Sequence, residues 1–286
     1  MLLRGSNRHA QSTSIIVLVI VVVLAAFALL VAAAVFNRPN IPASGAGGTV
    51  VGSGKVVTRE LQFSDFRTIR VQSVFQVEIT YSGSYRVRVT MDDNLFDHLL
   101  STKEGEVLTI GLKPGYEYHW PQSLTPKAEI QLPDLNDLQI DGAARGTVRG
   151  FSSSHRLMLH LSGATSVEIA DTTAGDVEAY ISAASKLSGS MTANGNARFT
   201  ISAASTVTLG GRADSLEITG SGSCNLELSN FKVHNAKINL SGASQATIDL
   251  DGRLDADLSG ASKLIYIGNA TLGDINVTGG STITKQ

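Results

Sequence analysis

The chain has 286 residues, with 28 Gly, 6 Pro and 1 Cys, and its 23 Lys and Arg nearly balance 25 Asp and Glu for a net charge of −2. Near-neutrality argues against a nucleic-acid binder, which needs a basic surface to displace counterions. A lone Cys excludes a disulfide framework and any zinc site built from cysteines within one chain.

No charged residue stands between Ala10 and Asn37, and Ile15 to Phe36 is an unbroken apolar run of 22 residues. As a helix that run spans about 33 Å, against a hydrocarbon core of about 30 Å. It predicts one transmembrane helix at 15–36, with the lipid bilayer as its partner. A cleaved signal peptide is the alternative, with Ala32 to Ala34 as the small residues that cleavage needs, but its apolar region is shorter, about 7–15 residues. Arg4 and Arg8 make the tail at 1–14 basic, which places it in the cytoplasm and the rest of the chain outside. Residues 37–54 hold five Gly and two Pro and read as a flexible tether.

From 55 to 286 the pattern is strand throughout. Residues 55–135 are irregular: Phe66-x-x-Ile-x-Val, Phe75-x-Val-x-Ile, Tyr85-x-Val-x-Val and Val107-Leu-Thr-Ile each alternate apolar and polar residues. Asp93 to Thr102 reads as a short helical turn with Leu95, Leu99 and Leu100 inward. This segment is the expected cap and first coils of a repeat array, because stacked units need an atypical unit over their open end.

Residues 138–286 hold eight copies of one motif, starting at Ile140, Leu161, Ile181, Ile201, Ile218, Leu240, Leu258 and Val277, with spacings of 17 to 22 residues. Counted from each start, even offsets are apolar or small and odd offsets mostly polar, a period of two and so a strand. The second residue after each start is small, as in Gly142, Gly163, Ala183 and Gly242, which predicts a tight interior corner. The first is Ser or Thr in seven copies, including Ser241, and forms an outward hydroxyl ladder. The expected fold is all-β, a right-handed parallel β-helix-like solenoid with coils of about 20 residues, preceded by the transmembrane helix. Eight rungs give a core about 40 Å long.

The stretch from Phe66 through Asp92-Asp-Asn-Leu to Val107-Leu-Thr-Ile, followed by repeats of Leu-Ser-Gly-Ala-Ser, resembles the head GIN domain family, whose members are named autotransporter adhesins. The resemblance covers Val57 to Gln286 and implies a β-helix-like fold and an exported, bacterial surface location. It supplies no catalytic residues. A self-translocating adhesin also carries a C-terminal membrane barrel, for which the eight repeats leave no segment, so the resemblance is one of fold.

The chemistry-bearing residues are few. The Gly-Ala-Ser units lack the second Gly of a nucleophile elbow, so no catalytic residue is assigned. Asp249, Asp251, Asp255 and Asp257 place paired carboxylates on shared strand faces and are weak metal candidates without a known loop spacing; Asp134, Asp137 and Asp141 read likewise as solvated acids. Tyr116, Tyr118, His119 and Trp120 form a distinctive loop, able to hold a sugar or a partner or simply to plug the solenoid. Cys224, six residues after Ile218, is expected as a buried small hydrophobe. These observations point to a membrane-anchored, non-enzymatic surface protein acting in adhesion or envelope interaction, without a cofactor and with a glycan or protein partner. The alternatives are a scaffold that self-associates through its C-terminal coil, and a carbohydrate-binding or carbohydrate-cleaving β-helix.

Overall fold

The computed structural model describes residues 47–120 and 125–286, so the expected tail at 1–14, the anchor at 15–36 and the first part of the tether lie outside the described residues. No described helix is long and apolar enough to cross a membrane. Gly47, Gly48 and Pro114–Glu117 fall to a small unit of their own, tied by Gly47 N–H to the Gly115 carbonyl (2.9 Å) and Glu117 N–H to the Gly48 carbonyl (3.1 Å). The other described residues form a β-solenoid of about seven turns.

Its walls are columns of identical offset. In the first sheet Leu138, Leu159, Ala179, Phe199, Ile218, Ile238, Ala256 and Ile275 stand one above another in parallel register. In the second, Gly146, Val167, Leu187, Val207, Leu226, Ala246, Leu264 and Ile283 do the same. A third, shorter ladder links Thr172, Met191, Gly211 and Phe231. Period-two alternation sends one side chain in two to the interior. Large and small residues interleave there: Ala179 lies beside Phe199, whose ring meets Phe231 edge-on at 6.3 Å. Leu240 lies directly over Leu258, as the repeat requires.

Two expectations change. The fifth copy starts at Gly220, which stacks on Ile201 and under Leu240, and not at Ile218. A slip of two residues keeps every side chain on its proper face, so alternation alone does not distinguish the two starts. The corners, moreover, are not interior. Gly142, Gly163, Ala183, Ala203, Gly222, Gly242, Gly260 and Gly279 all have φ between +62° and +100°, and Ala183, Ala203 and Gly242 are exposed. They are small for two reasons: left-handed backbone disfavours side chains, and each corner sits on the one before. A Cβ on Gly242 would come within 2.5 Å of the Gly222 carbonyl oxygen, and one on Gly260 within 2.5 Å of that of Gly242. Those same oxygens accept the N–H of Ala243 and Ala261, both at 2.7 Å.

Inside the corner runs a second hydroxyl column. Thr165, Ser185, Ser205, Ser244 and Ser262 are buried, and Cys224 stands among them, four residues after Gly220. Ser205, Ser244 and Ser262 donate to the carbonyl three residues back at 2.9, 2.9 and 2.8 Å, and the Cys224 thiol points to that of Ser221 at 3.0 Å. The hydroxyls are thereby satisfied without water. Burial pushes the Cys224 thiol pKa up, so the thiol is an unreactive substitute for a serine.

At the N-terminal end the stack and the chain order part. Thr68–Val71 and Gln76–Tyr81 lie on Asp137–Ile140 and Arg145–Arg149, and Val107–Leu112 and Lys127–Leu132 lie beyond them. The outermost strands turn antiparallel: Leu99–Glu104 against Val107–Leu112, Arg86–Asp92 against Lys127–Leu132, and Val56–Leu61 against Arg86–Asp92. A 3₁₀ helix at Asp93–His98 buries Leu95 and Phe96, with the Arg59 guanidinium 4.1 Å over the Phe96 ring. The helical turn is thus shorter than expected, and Leu99 and Leu100 belong to a strand, half-buried. The last residues of the expected tether, Val51 to Ser53, make fixed contacts. Gly52 N–H donates to the His119 carbonyl at 2.8 Å, Asn94 Nδ2 to the Val51 carbonyl at 2.9 Å and Ser53 Oγ to Asp93 at 2.7 Å, so Val51 to Ser53 are docked.

The corner geometry sets a test. Gly242→Val adds a β-branched side chain at positive φ against a fixed carbonyl and is expected to lower unfolding stability by about 2–4 kcal/mol. Ser241→Ala, on the outward ladder one residue earlier, is expected to stay within about 0.5 kcal/mol of the parent. Denaturant melts of the two variants decide whether the corner or the ladder holds the stack.

Candidate functional site: a charged groove along the first sheet

Outward residues of the first sheet also form columns. One runs Asp137, Met158, Glu178, Arg198, Glu217, Lys237, Asp255, so that charge alternates in sign over its last five members. Parallel strands lie about 4.8 Å apart, close enough for each side chain to reach its neighbour. Arg198 meets Glu217 at 2.8 Å, and Glu178 meets Arg156 at 3.0 Å. Arg253 bridges Asp255 at 2.6 Å and Asp274, one coil on, at 3.0 Å. The parallel column beside it carries His160, Tyr180, Thr200, Thr219, Asn239 and Asp257, with the His160 and Tyr180 rings stacked at 4.9 Å and 7°.

Between the charged column and the neighbouring corner lies an open groove of about 630 Å³, crossing the coils and lined by Arg156, Glu178, Arg198, Glu217, Lys237 and Asp255 among others. Its corner side is built of backbone ties: Asp176 accepts the N–H of Asn196, and Asn235 that of Arg253, both at 2.8 Å. Hydrogen bonding from Arg253, then from the Asp274 backbone N–H, holds the Asp255 carboxyl below its usual pKa. Its bond to Glu178 raises the Tyr180 hydroxyl above its own. The groove thus presents fixed ion pairs and amide groups in a line, a surface that can hydrogen-bond an extended polar chain at every coil.

The expected sites fare differently. Tyr118 is half-buried, donates to the Lys113 carbonyl at 2.8 Å, and packs by His98 at 5.8 Å and Trp120 at 6.2 Å. Trp120 leans on the core, while His119 and Tyr116 are exposed, the latter in the small unit. Tyr118 and Trp120 thus pack against neighbouring side chains. The four aspartates are dispersed: Asp251 meets His234 at 2.8 Å, Asp255 is held by Arg253, Asp257 accepts from Asn276 at 3.2 Å, and Asp249 pairs in register with Lys232. Asp134, Asp137 and Asp141 are taken up by His155, Gln139 and Ser162. Among the described residues no group of three or more acidic, His or Cys side chains is placed to hold a metal. The charged column is absent from the sequence-based expectations, although its signal stands three residues before each start, once the fifth start is Gly220.

Residues 65–270 match the family model described as "Putative auto-transporter adhesin, head GIN domain". The chain belongs to that family. No curated protein matches this head GIN chain. Its fold is shared by a crystal structure described as a putative adhesin from Parabacteroides distasonis, 19% identical with a TM-score of 0.76, covering 83% of this chain and 100% of that one. A second from the same organism is described as a putative lipid binding protein, 18% identical with a TM-score of 0.73 and covering 83% and 99%. A third, a putative adhesin from Parabacteroides merdae, is 17% identical with a TM-score of 0.71 and the same coverage of 83% and 99%.

The Asp255 tie is open to titration. Because its folded pKa is lowered, the tie is complete above the ordinary carboxylate value of about 3.9 and is released only as pH falls through the lower folded value. The Asp274 amide, which donates to Asp255 at 2.7 Å, is expected to stay protected from hydrogen exchange at pH 4.5. Asp255→Ala is expected to speed its exchange several-fold at the same pH, read by NMR.

Proposed function

We propose that this head GIN protein is a membrane-anchored, non-enzymatic display protein of the bacterial envelope. Residues 15–36 cross the bilayer, residues 1–14 stay in the cytoplasm, and the solenoid stands outside as an adhesive arm. The observation that carries the adhesive part is the groove. Its cations and anions alternate along the column, so together they do not demand an ion of one sign, yet they offer donors and acceptors about every 4.8 Å. That lining suits an extended, hydroxyl-rich chain such as a glycan. Two neighbours in fold are described as adhesins, in keeping with this reading. The neighbour described as lipid-binding supplies a rival, but a groove lined by Arg156, Glu178, Arg198 and Lys237 would strip charges of water to hold an acyl chain.

Two measurements test the two halves. Protease added to intact cells expressing the full chain is expected to cut the solenoid side and spare the tail; a protected solenoid would overturn the topology. On a glycan array, the full chain with Arg198→Gln and Lys237→Gln is expected to lose most binding while its melting stays near the parent's, since exposed pairs contribute at most about 1 kcal/mol. Equal binding by parent and variant, or none by the parent, would sink the groove assignment and leave the topology standing.

A further inference from the structure

The charges of the groove alternate along its length but not in depth. In each ion pair the cation stands further out than its carboxylate. The Arg156 side chain is 56% exposed against 16% for Glu178, Arg198 58% against 36% for Glu217, and Arg253 53% against 31% for Asp255. Glu178 also accepts from the Tyr180 hydroxyl, and Asp255 from the Asp274 N–H. A chain entering the groove therefore meets cationic groups before it meets carboxylates.

The cations are also evenly spaced. Arg156 opens the coil of Met158, Arg198 lies two coils on, and Lys237 two coils beyond that. Two coils are about 10 Å. Glu178 and Glu217 occupy the intervening coils, and Asp255 the coil after Lys237. Each arginine spends one nitrogen on a neighbour, Nη1 of Arg156 on Glu178 and Nη2 of Arg198 on Glu217. The rest of each guanidinium fork can take a second carboxylate. Lys237 is wholly uncommitted. Among the described residues it makes no ion pair, its column neighbours Glu217 and Asp255 being held by Arg198 and Arg253.

We propose that the groove selects an acidic glycan carrying one carboxylate on every second sugar, a chain in which uronic acid alternates with an uncharged sugar. This rests on the reading of the groove as a glycan site and adds the charge pattern of the glycan. A pyranose in an extended chain advances by about one coil, so carboxylates on alternate sugars fall opposite Arg156, Arg198 and Lys237. The uncharged sugars between them fall opposite Glu178 and Glu217, whose oxygens accept from hydroxyls. A chain charged on every sugar would set carboxylates against Glu178, Glu217 and Asp255, and that repulsion rejects it. An uncharged chain would leave Lys237 without a counter-charge. The Lys237 ammonium is the specificity-determining group, because it alone binds a carboxylate without sharing one it already holds.

The test titrates the full chain in membranes with three oligosaccharides of equal length. One alternates uronic acid with N-acetylhexosamine, the second is the same chain with its carboxyls reduced to alcohols, and the third is a homo-oligouronate. The alternating chain is expected to bind about tenfold more tightly than either other, in line with one charge-assisted hydrogen bond. Lys237→Gln is expected to erase that preference while affinity for the reduced chain stays as it was, and Lys237→Arg to keep it. Labelling with an amine-reactive reagent gives a second readout. The alternating chain is expected to protect Lys237 and to spare Lys186 and Lys263, exposed on the second sheet. Equal binding of the reduced chain, tightest binding of the homo-oligouronate, or a preference that survives Lys237→Gln would overturn the charge pattern and leave the groove a glycan site. Binding of none of the three, with Lys237 labelled equally throughout, would overturn both.

Discussion

The approach of one corner to the next governs this molecule. Each corner residue must adopt positive φ, and its carbonyl must receive the N–H of the following coil at about van der Waals limits, as Gly222 does from Ala243 and Gly242 from Ala261. Once corners are stacked, the two sheets that leave each corner are in register without further specification, because a strand entered at a fixed point presents its side chains at fixed heights. The interior then needs only volume. Columns mixing Phe, Ile, Leu and Ala satisfy it, with small residues against large ones, which is how a sequence of low complexity in its corners tolerates variety in its walls.

That constraint explains what is and is not legible in the sequence. Leu240-Ser-Gly-Ala-Ser over Leu258-Ser-Gly-Ala-Ser is plain from recurrence alone. The coil between Ile201 and Leu240 is not, because Ile218-Thr-Gly-Ser-Gly and Gly220-Ser-Gly-Ser-Cys both satisfy the motif and differ by two residues, a shift invisible to alternation. The consequences are specific. Counting from Ile218 puts Ser215 where Glu217 belongs and so breaks the run Glu178, Arg198, Glu217, Lys237, Asp255 that builds the groove. It also moves Cys224 from a hydroxyl column to an aliphatic one. The corner residues must be small, as recurrence implies, yet the neighbour they avoid is the carbonyl of the corner beneath and not the opposite wall.

The aromatic loop illustrates a different limit. Tyr118 and Trp120 stand out by composition, yet an aromatic near the mouth of a solenoid is as useful for closing it as for meeting a ligand. Period and spacing do not separate those uses, and they do not foretell the contacts of Tyr118 with His98, Trp120 and the Lys113 carbonyl. Charged residues at outward offsets have the opposite fault. They look like ordinary solvated positions until the stack lines them up, and a groove made of one side chain per coil has no local signature in any one repeat.

The two ends of the stack differ for a reason that bears on the whole. A solenoid grown from repeats has two edges, and its sequence must break the repeat to close either. Among the described residues the repeat is broken at one edge, where it is closed by strands that reverse direction: Val56–Leu61, Arg86–Asp92 and Leu99–Glu104 pair antiparallel, and the docked Val51 to Ser53 lie against Asp93 and Asn94 of the same cap.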